Sequence, residues 1–111
     1  MDLALTTRTQ GPWAVVEVAG ELDLSNAPEL HGAVAERLGA GDVRVAIDLS
    51  GVSFMDSSAL GVLVTSLKRA REHEGDVILV GVHGSPARVL EITGLDRAFT
   101  LVPSVADLPA T

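Results

Sequence analysis

The sequence predicts an α/β fold, a mixed five-stranded β-sheet with about four helices packed on it, and three observations predict it. Apolar periods of the strand and helix type alternate along the chain in the order β-β-α-β-α-β-α-β. The connections between them are short and punctuated by Gly, Pro and Asp. One run, Val77-Ile78-Leu79-Val80-Gly81-Val82, is continuously apolar, the character of a strand covered on both faces. Consecutive βαβ units favour parallel strands with right-handed crossovers, while the first two strands, joined by a short turn, read as an antiparallel hairpin.

Each element has its own signal. Leu3 to Thr7 is a weak strand candidate, and Gln10-Gly11-Pro12 separates it from a better one, Trp13 to Ala19, rich in valine. After Gly20-Glu21-Leu22-Asp23, the segment Asn26-Ala27-Pro28-Glu29 places a capping Asn three residues before a Glu, with Pro in the first turn. Leu30, Val34 and Leu38 then recur at helical spacing until Gly39 to Gly41. Val43, Val45, Ile47 and Leu49 alternate with Arg44, Ala46 and Asp48 as a strand does, and Ser50-Gly51 predicts a turn after it. Beyond Met55-Asp56-Ser57-Ser58, the apolar stripe Ala59, Leu60, Leu63, Val64, Leu67 and Ala70 marks an amphipathic helix that Gly75-Asp76 stops. Ser85-Pro86 opens a shorter helix through Ile92, closed by Gly94. Ala98 to Val102 reads as the fifth strand, and Ser104 as the cap of a short terminal helix.

Composition bounds the function. A chain of 111 residues is expected to be one domain, 1–111, with a single core and no second catalytic lobe. It contains no cysteine, which excludes disulfides, thiolate metal sites and cysteine nucleophiles. Eight Lys and Arg against 15 Asp and Glu give a net charge of −7, so direct nucleic-acid or membrane-surface binding is not expected. Trp13, Phe54 and Phe99 are the only aromatics, too few for a base-stacking platform. The apolar stretches fall far short of the ~20 residues of a spanning helix. With no secretory signal visible either, cytoplasmic residence is expected.

Familiar catalytic signatures fail one at a time. Gly81-Val82-His83-Gly84 has neither the spacing nor the lysine of a phosphate loop. His31, His73 and His83 lie far apart, with no metal-ligand spacing, so no cofactor or metal is expected. Ser57 and Ser58 sit at a strand-loop-helix junction, where a serine has two physical uses. It can cap the helix by accepting from an amide two or three residues on. It can instead accept a phosphoryl group, because a dianion at a helix start meets free N–H groups and the positive end of the dipole. A hydrolase nucleophile would need small residues at the G-x-S-x-G positions, and Met55-Asp56-Ser57-Ser58-Ala59 lacks them. Asp23 and Asp56 end the loops after the second and third strands, so adjacent strands would put both carboxylates on one rim.

The run Asp48-Leu49-Ser50-Gly51-Val52-Ser53-Phe54-Met55-Asp56-Ser57-Ser58-Ala59-Leu60-Gly61-Val62-Leu63 closely resembles the signature of the anti-sigma factor antagonists, the small bacterial STAS domains. Gly20-Glu21-Leu22-Asp23 is similar to that family's loop before the first helix, and Ser85-Pro86-Ala87 through Thr93-Gly94-Leu95 to its third helix and following turn. The resemblance implies a single STAS-type domain and a partner switch without catalysis of its own. Such a protein binds an anti-sigma factor that is a serine kinase, frees the sigma factor, and is switched off by phosphorylation until a phosphoserine phosphatase restores it. It maps the phosphoacceptor onto Ser57, with Asp56 and Ser58 as flanking contacts and Asp23 as a contact on the neighbouring loop. Leu60 is either an apolar partner contact on the exposed start of the helix or a core residue. Ala59 departs from the glycine of many relatives, and should firm the first helical turn by ~1 kcal/mol. An alternative within the family is a scaffold subunit of a stress-signalling complex or a transporter regulator.

Overall fold

A computed structural model describes residues 3–110. Two strands, β1 (Ala4–Gln10) and β2 (Trp13–Leu22), form the expected antiparallel hairpin, and both are longer than the sequence predicts. Gly11, with φ of 57°, and Pro12 make the two-residue turn, whose first position calls for a glycine. The chain then alternates α1 (Ala27–Gly39), β3 (Arg44–Met55), α2 (Ser57–Glu72), β4 (Asp76–Val80), α3 (Gly84–Thr93) and β5 (Thr100–Val102). Two 3-10 turns, Leu95–Arg97 and Val105–Asp107, stand beside the three α-helices in place of a fourth. The first begins the segment that separates α3 from a fifth strand shorter than expected. In the second, Ser104 stands at the expected cap position, and its N–H and hydroxyl both donate to Asp107 Oδ2.

The sheet order is β1-β2-β3-β4-β5, with β2 to β5 mutually parallel. Residues of β2, β3 and β4 that alternate inward join Leu30 and Val34 of α1, Leu63 and Leu67 of α2 and Leu90 of α3 in the main core. The opposite face carries a smaller cluster, Trp13, Val15, Ala46, Ile78 and Val80, covered by Val102, Val105 and Leu108. This explains the continuous apolar run of β4, since helices cover one side and the C-terminal segment the other. Trp13 fastens that segment through its Nε1, which donates to Pro109 O at 2.8 Å.

The expected turn at Ser50-Gly51 is not there, because β3 runs on to Met55. Its pairing with β2 shifts register twice, between Glu17 and Ala19 and between Gly20 and Glu21, each time taking up one more residue of β3 than of β2. At Gly51 a Cβ would stand 2.9 Å from that of Ala19, so only glycine lets the strands meet at the bulge. Both strands thereby reach the same edge, where Leu22 pairs with Met55, and the loops leading into α1 and α2 start side by side.

Candidate functional site

Asp56 joins the two loops. One carboxylate oxygen, Oδ1, accepts from Ser58 N at 2.9 Å and Ala59 N at 3.2 Å, which makes Asp56 the cap of α2. The other, Oδ2, accepts from Leu24 N at 3.0 Å, across to the loop after β2. Asp56 N donates to Leu22 O at 3.1 Å and completes the tie. The capping role that position alone offers to Ser57 or Ser58 therefore belongs to Asp56. Ser57 is the exposed first residue of α2 and Ser58 is half-buried. Of the first amides of the helix, Asp56 occupies two, and the Ser57 N–H is left outside the intrahelical ladder, which begins with Leu60 N to Asp56 O.

The neighbouring loop is held from within. Asn26 does not cap α1; its side chain is buried and closes the loop instead, Oδ1 accepting from Asp23 N at 2.9 Å and Nδ2 donating to Glu21 O at 2.7 Å. The helix start itself is tied to Asp23 O, which accepts from Asn26 N and Ala27 N. The Asp23 carboxylate accepts from Ser25 Oγ at 2.5 Å and Ser25 N at 2.9 Å. These bonds, the hydroxyl's foremost, hold its carboxyl below the ordinary value of 3.8. A lowered pKa in the folded state stabilises the loop above the unfolded value, and that contribution disappears as the pH falls through the folded one. Ser25→Ala should therefore move the Asp23 titration, followed by carboxyl NMR shifts, back towards 3.8.

Asp23 and Asp56 thus lie on one rim, as the strand order suggested, with Ser57 and Ser58 beside them. Glu21 and Glu29 add to its negative charge, and neither segment 21–29 nor 53–62 contains Lys or Arg. Leu60 is placed differently. It is only 9% exposed and belongs to the main core, in step with Leu63 and Leu67 on the apolar stripe of α2, so the reading as an exposed partner contact is corrected to core packing.

Apolar exposure comes instead from residues that the sequence did not single out. Leu24 is 75% exposed at the tip of the first loop and Phe54 is 42% exposed near the end of β3. Between α1 and α2 lies an open groove of about 280 Å³ lined by Leu24, Ala27, Pro28, His31, Ser58 and Val62. The signal for Leu24 was a large aliphatic in a loop of Asp, Ser and Asn, where nothing local buries it. The remaining histidines are exposed and meet main-chain carbonyls, His73 Nδ1 at Arg69 O and His83 Nε2 at Ser50 O, each at 2.9 Å. Among the described residues no group of His, Asp and Glu is arranged to hold a metal, and no helix is long and apolar enough to cross a membrane.

The comparisons with known proteins agree with this architecture. The sequence profile of the STAS domain matches residues 4–108. The anti-sigma-B factor antagonist of Staphylococcus aureus (strain NCTC 8325 / PS 47) is 36% identical over 95 residues, covering 86% of this chain and 88% of its own. An anti-sigma factor antagonist from Mycobacterium paratuberculosis superposes with a TM-score of 0.88 at 28% identity, over 96% of this chain and 90% of the other. The Bacillus cell fate determinant SpoIIAA in its phosphorylated form aligns with a TM-score of 0.74 at 19% identity, over 94% and 95% of the two chains, a likeness of fold. A match along nearly the whole chain, with the Asp56-Ser57-Ser58 junction at the head of α2, places this protein in the STAS domain family, among relatives that are anti-sigma factor antagonists.

Proposed function

We propose that the protein is an anti-sigma factor antagonist that works as a partner switch. Unphosphorylated, it binds an anti-sigma factor that is itself a serine kinase and so frees a sigma factor. Phosphorylation of Ser57 by that kinase ends the binding, and a phosphoserine phosphatase restores it. The protein is a substrate in this cycle and performs no catalysis. The observation that carries the reading is the position of Ser57, an exposed hydroxyl at the start of α2 on the rim formed with Asp23 and Asp56, next to the apolar groove. A kinase needs a side chain it can reach, and a switch needs that side chain inside the surface it controls. The names of the relatives support the first half of the reading, since the Staphylococcus aureus protein is an anti-sigma-B factor antagonist.

The direct test is intact-mass analysis after incubation with candidate anti-sigma kinases and ATP. One added phosphoryl group on the native chain, absent from Ser57→Ala, supports the assignment. Uptake that persists in Ser57→Ala moves the acceptor to Ser58 or elsewhere.

The same geometry supports Leu24 as a further binding residue. An exposed aliphatic beside an apolar groove suits a partner surface that offers an apolar anchor. Leu24→Ala is expected to weaken partner binding by about ten- to thirtyfold, the effect of losing ~1.4–2 kcal/mol at a contact of this kind. Because Leu24 is 75% exposed, the thermal midpoint should not move. Calorimetric titration together with thermal denaturation separates the two effects.

A further inference from the structure

Among the described residues the edge strand β1 has no partner on its outer side, since the sheet order begins with it, and all its residues but Leu5 are exposed. Soluble proteins usually protect such an edge with a lysine, a proline, a bulge, a very short strand or a covering element. The opposite edge follows that rule, because β5 has three residues and Pro103 follows it directly. In contrast, β1 is seven residues of Ala-Leu-Thr-Thr-Arg-Thr-Gln paired with β2 in unbroken register, without lysine, proline or bulge, and its one charged side chain, Arg8, is tied to Glu17 of its own chain. Three threonines give it a strong preference for further pairing.

The hairpin fixes which groups are free. Gln10 and Trp13 flank the two-residue turn and so exchange hydrogen bonds, and the alternation of an antiparallel ladder then turns Arg8, Thr6 and Ala4 towards β2. The N–H and C=O groups of Leu5, Thr7 and Thr9 point outward. We propose that this edge is an interface between two copies of the chain, paired antiparallel about a two-fold axis at Thr7 and joining two sheets into one of ten strands.

Self-complementarity favours a second copy over another occupant. With Thr7 on the axis, Thr7 faces Thr7 of the second copy, Leu5 faces Thr9, and Thr6 faces Arg8, so the outward groups of Leu5, Thr7 and Thr9 are all satisfied. The charges fit as well. Thr6 pairs with Glu17 on β2, and Glu17 already meets Arg8 of its own chain. Arg8 of the second copy would enter the same row as Thr6 and Glu17, placing each Glu17 between two arginines. On the helix side, the groove beside the edge, lined by Thr7, Thr9, Ala33, Glu36 and Arg37 with the strand at Arg8, brings one acid and one base from each copy to the axis. Those groups balance locally what the net charge of −7 would otherwise oppose. The proposal does not rest on the partner-switch reading, since the rim with Ser57 involves other segments of the chain.

Sedimentation over a dilution series from millimolar to micromolar tests it on the full chain. The native protein is expected to approach twice its 11.5 kDa mass at high concentration. Thr7→Pro removes the N–H at the axis without touching the bonds to β2, and it should sediment as a single chain throughout. Thr7→Lys sets two like charges opposite each other and should weaken the dimer by at least about tenfold. If Thr7→Pro disturbs the fold, as read by circular dichroism, Thr7→Lys decides. A native chain that stays at 11.5 kDa overturns the proposal, as does a dimer that both variants leave unchanged.

Discussion

Phosphorylated at Ser57, the protein is expected to bind its anti-sigma factor about a thousandfold more weakly than before, with no change in its fold. The added charge is ~−1.5 to −2 at neutral pH. One unit of it facing a like charge at ~4 Å costs ~4 kcal/mol at an effective dielectric of ~20, and each ~1.4 kcal/mol is tenfold in affinity. Local geometry decides whether the protein can neutralise that charge itself. A phosphate at a helix start is ordinarily held by free amides, but Asp56 already occupies those of Ser58 and Ala59, leaving the N–H of Ser57. The charged side chains of segments 21–29 and 53–62 are all carboxylates. The dianion is therefore left uncompensated and faces whatever docks there. Ser57→Glu carries about half that charge and should weaken binding by about thirtyfold, while Ser57→Ala should bind as the native chain does. Titration calorimetry with the purified anti-sigma factor measures all three. Equal affinity of the phosphorylated and native forms would refute the electrostatic switch, and NMR shift changes spreading into β4 or α3 would refute the unchanged fold.

Much of this arrangement was legible in the sequence, for identifiable reasons. The period of α2, the cover on both faces of β4 and the Pro-to-Gly frame of α3 are local patterns, and the structure keeps them. The far half of β3 was not legible. Ser50 and Gly51 look like a turn, but their conformation is set by Ala19 on the neighbouring strand, which needs the missing Cβ of Gly51. Asn26 has the spacing of a cap and was claimed instead by main-chain groups before it. Leu60 could be read either way from spacing, and its burial follows from where the sheet lies. The groove was invisible for a different reason: Leu24, His31 and Val62 come together only because α1 and α2 pack side by side, and no local pattern encodes that. What sequence could show of the site was its chemistry, one serine between an aspartate and a helix. How the aspartate is used required the fold.

Replacing Asp56 separates its two roles, and the size of the effect follows from counting its bonds. Asp56→Ala removes a cap shared by two amides, a contact usually worth ~1 kcal/mol and up to ~2. It also removes a hydrogen bond from Leu24 N to a charged acceptor, which contributes ~1.5 kcal/mol or more. The favourable position of a carboxylate at the helix N-terminus adds ~0.3–1 kcal/mol. A loss of about 3 kcal/mol is expected, which at ~4 °C per kcal/mol for a domain of this size lowers the thermal midpoint by about 12 °C. Asp56→Asn divides that sum. Asparagine caps as well as aspartate, so its carbonyl oxygen can take over the amides of Ser58 and Ala59. Its other end is an NH₂ group, which would set a donor against the N–H of Leu24 where Oδ2 accepted one. The Asn variant should therefore keep most of the stability and lose the tie between the loops, seen as faster hydrogen exchange at the Leu24 amide. Partner affinity, measured on the folded protein, should fall in both variants, because Leu24 is no longer held over the groove. Adding Leu24→Ala to either variant should then cost less than it does in the native chain. A full, additive loss in that double-mutant cycle would mean that Asp56 holds the helix alone and does not position Leu24 for the partner.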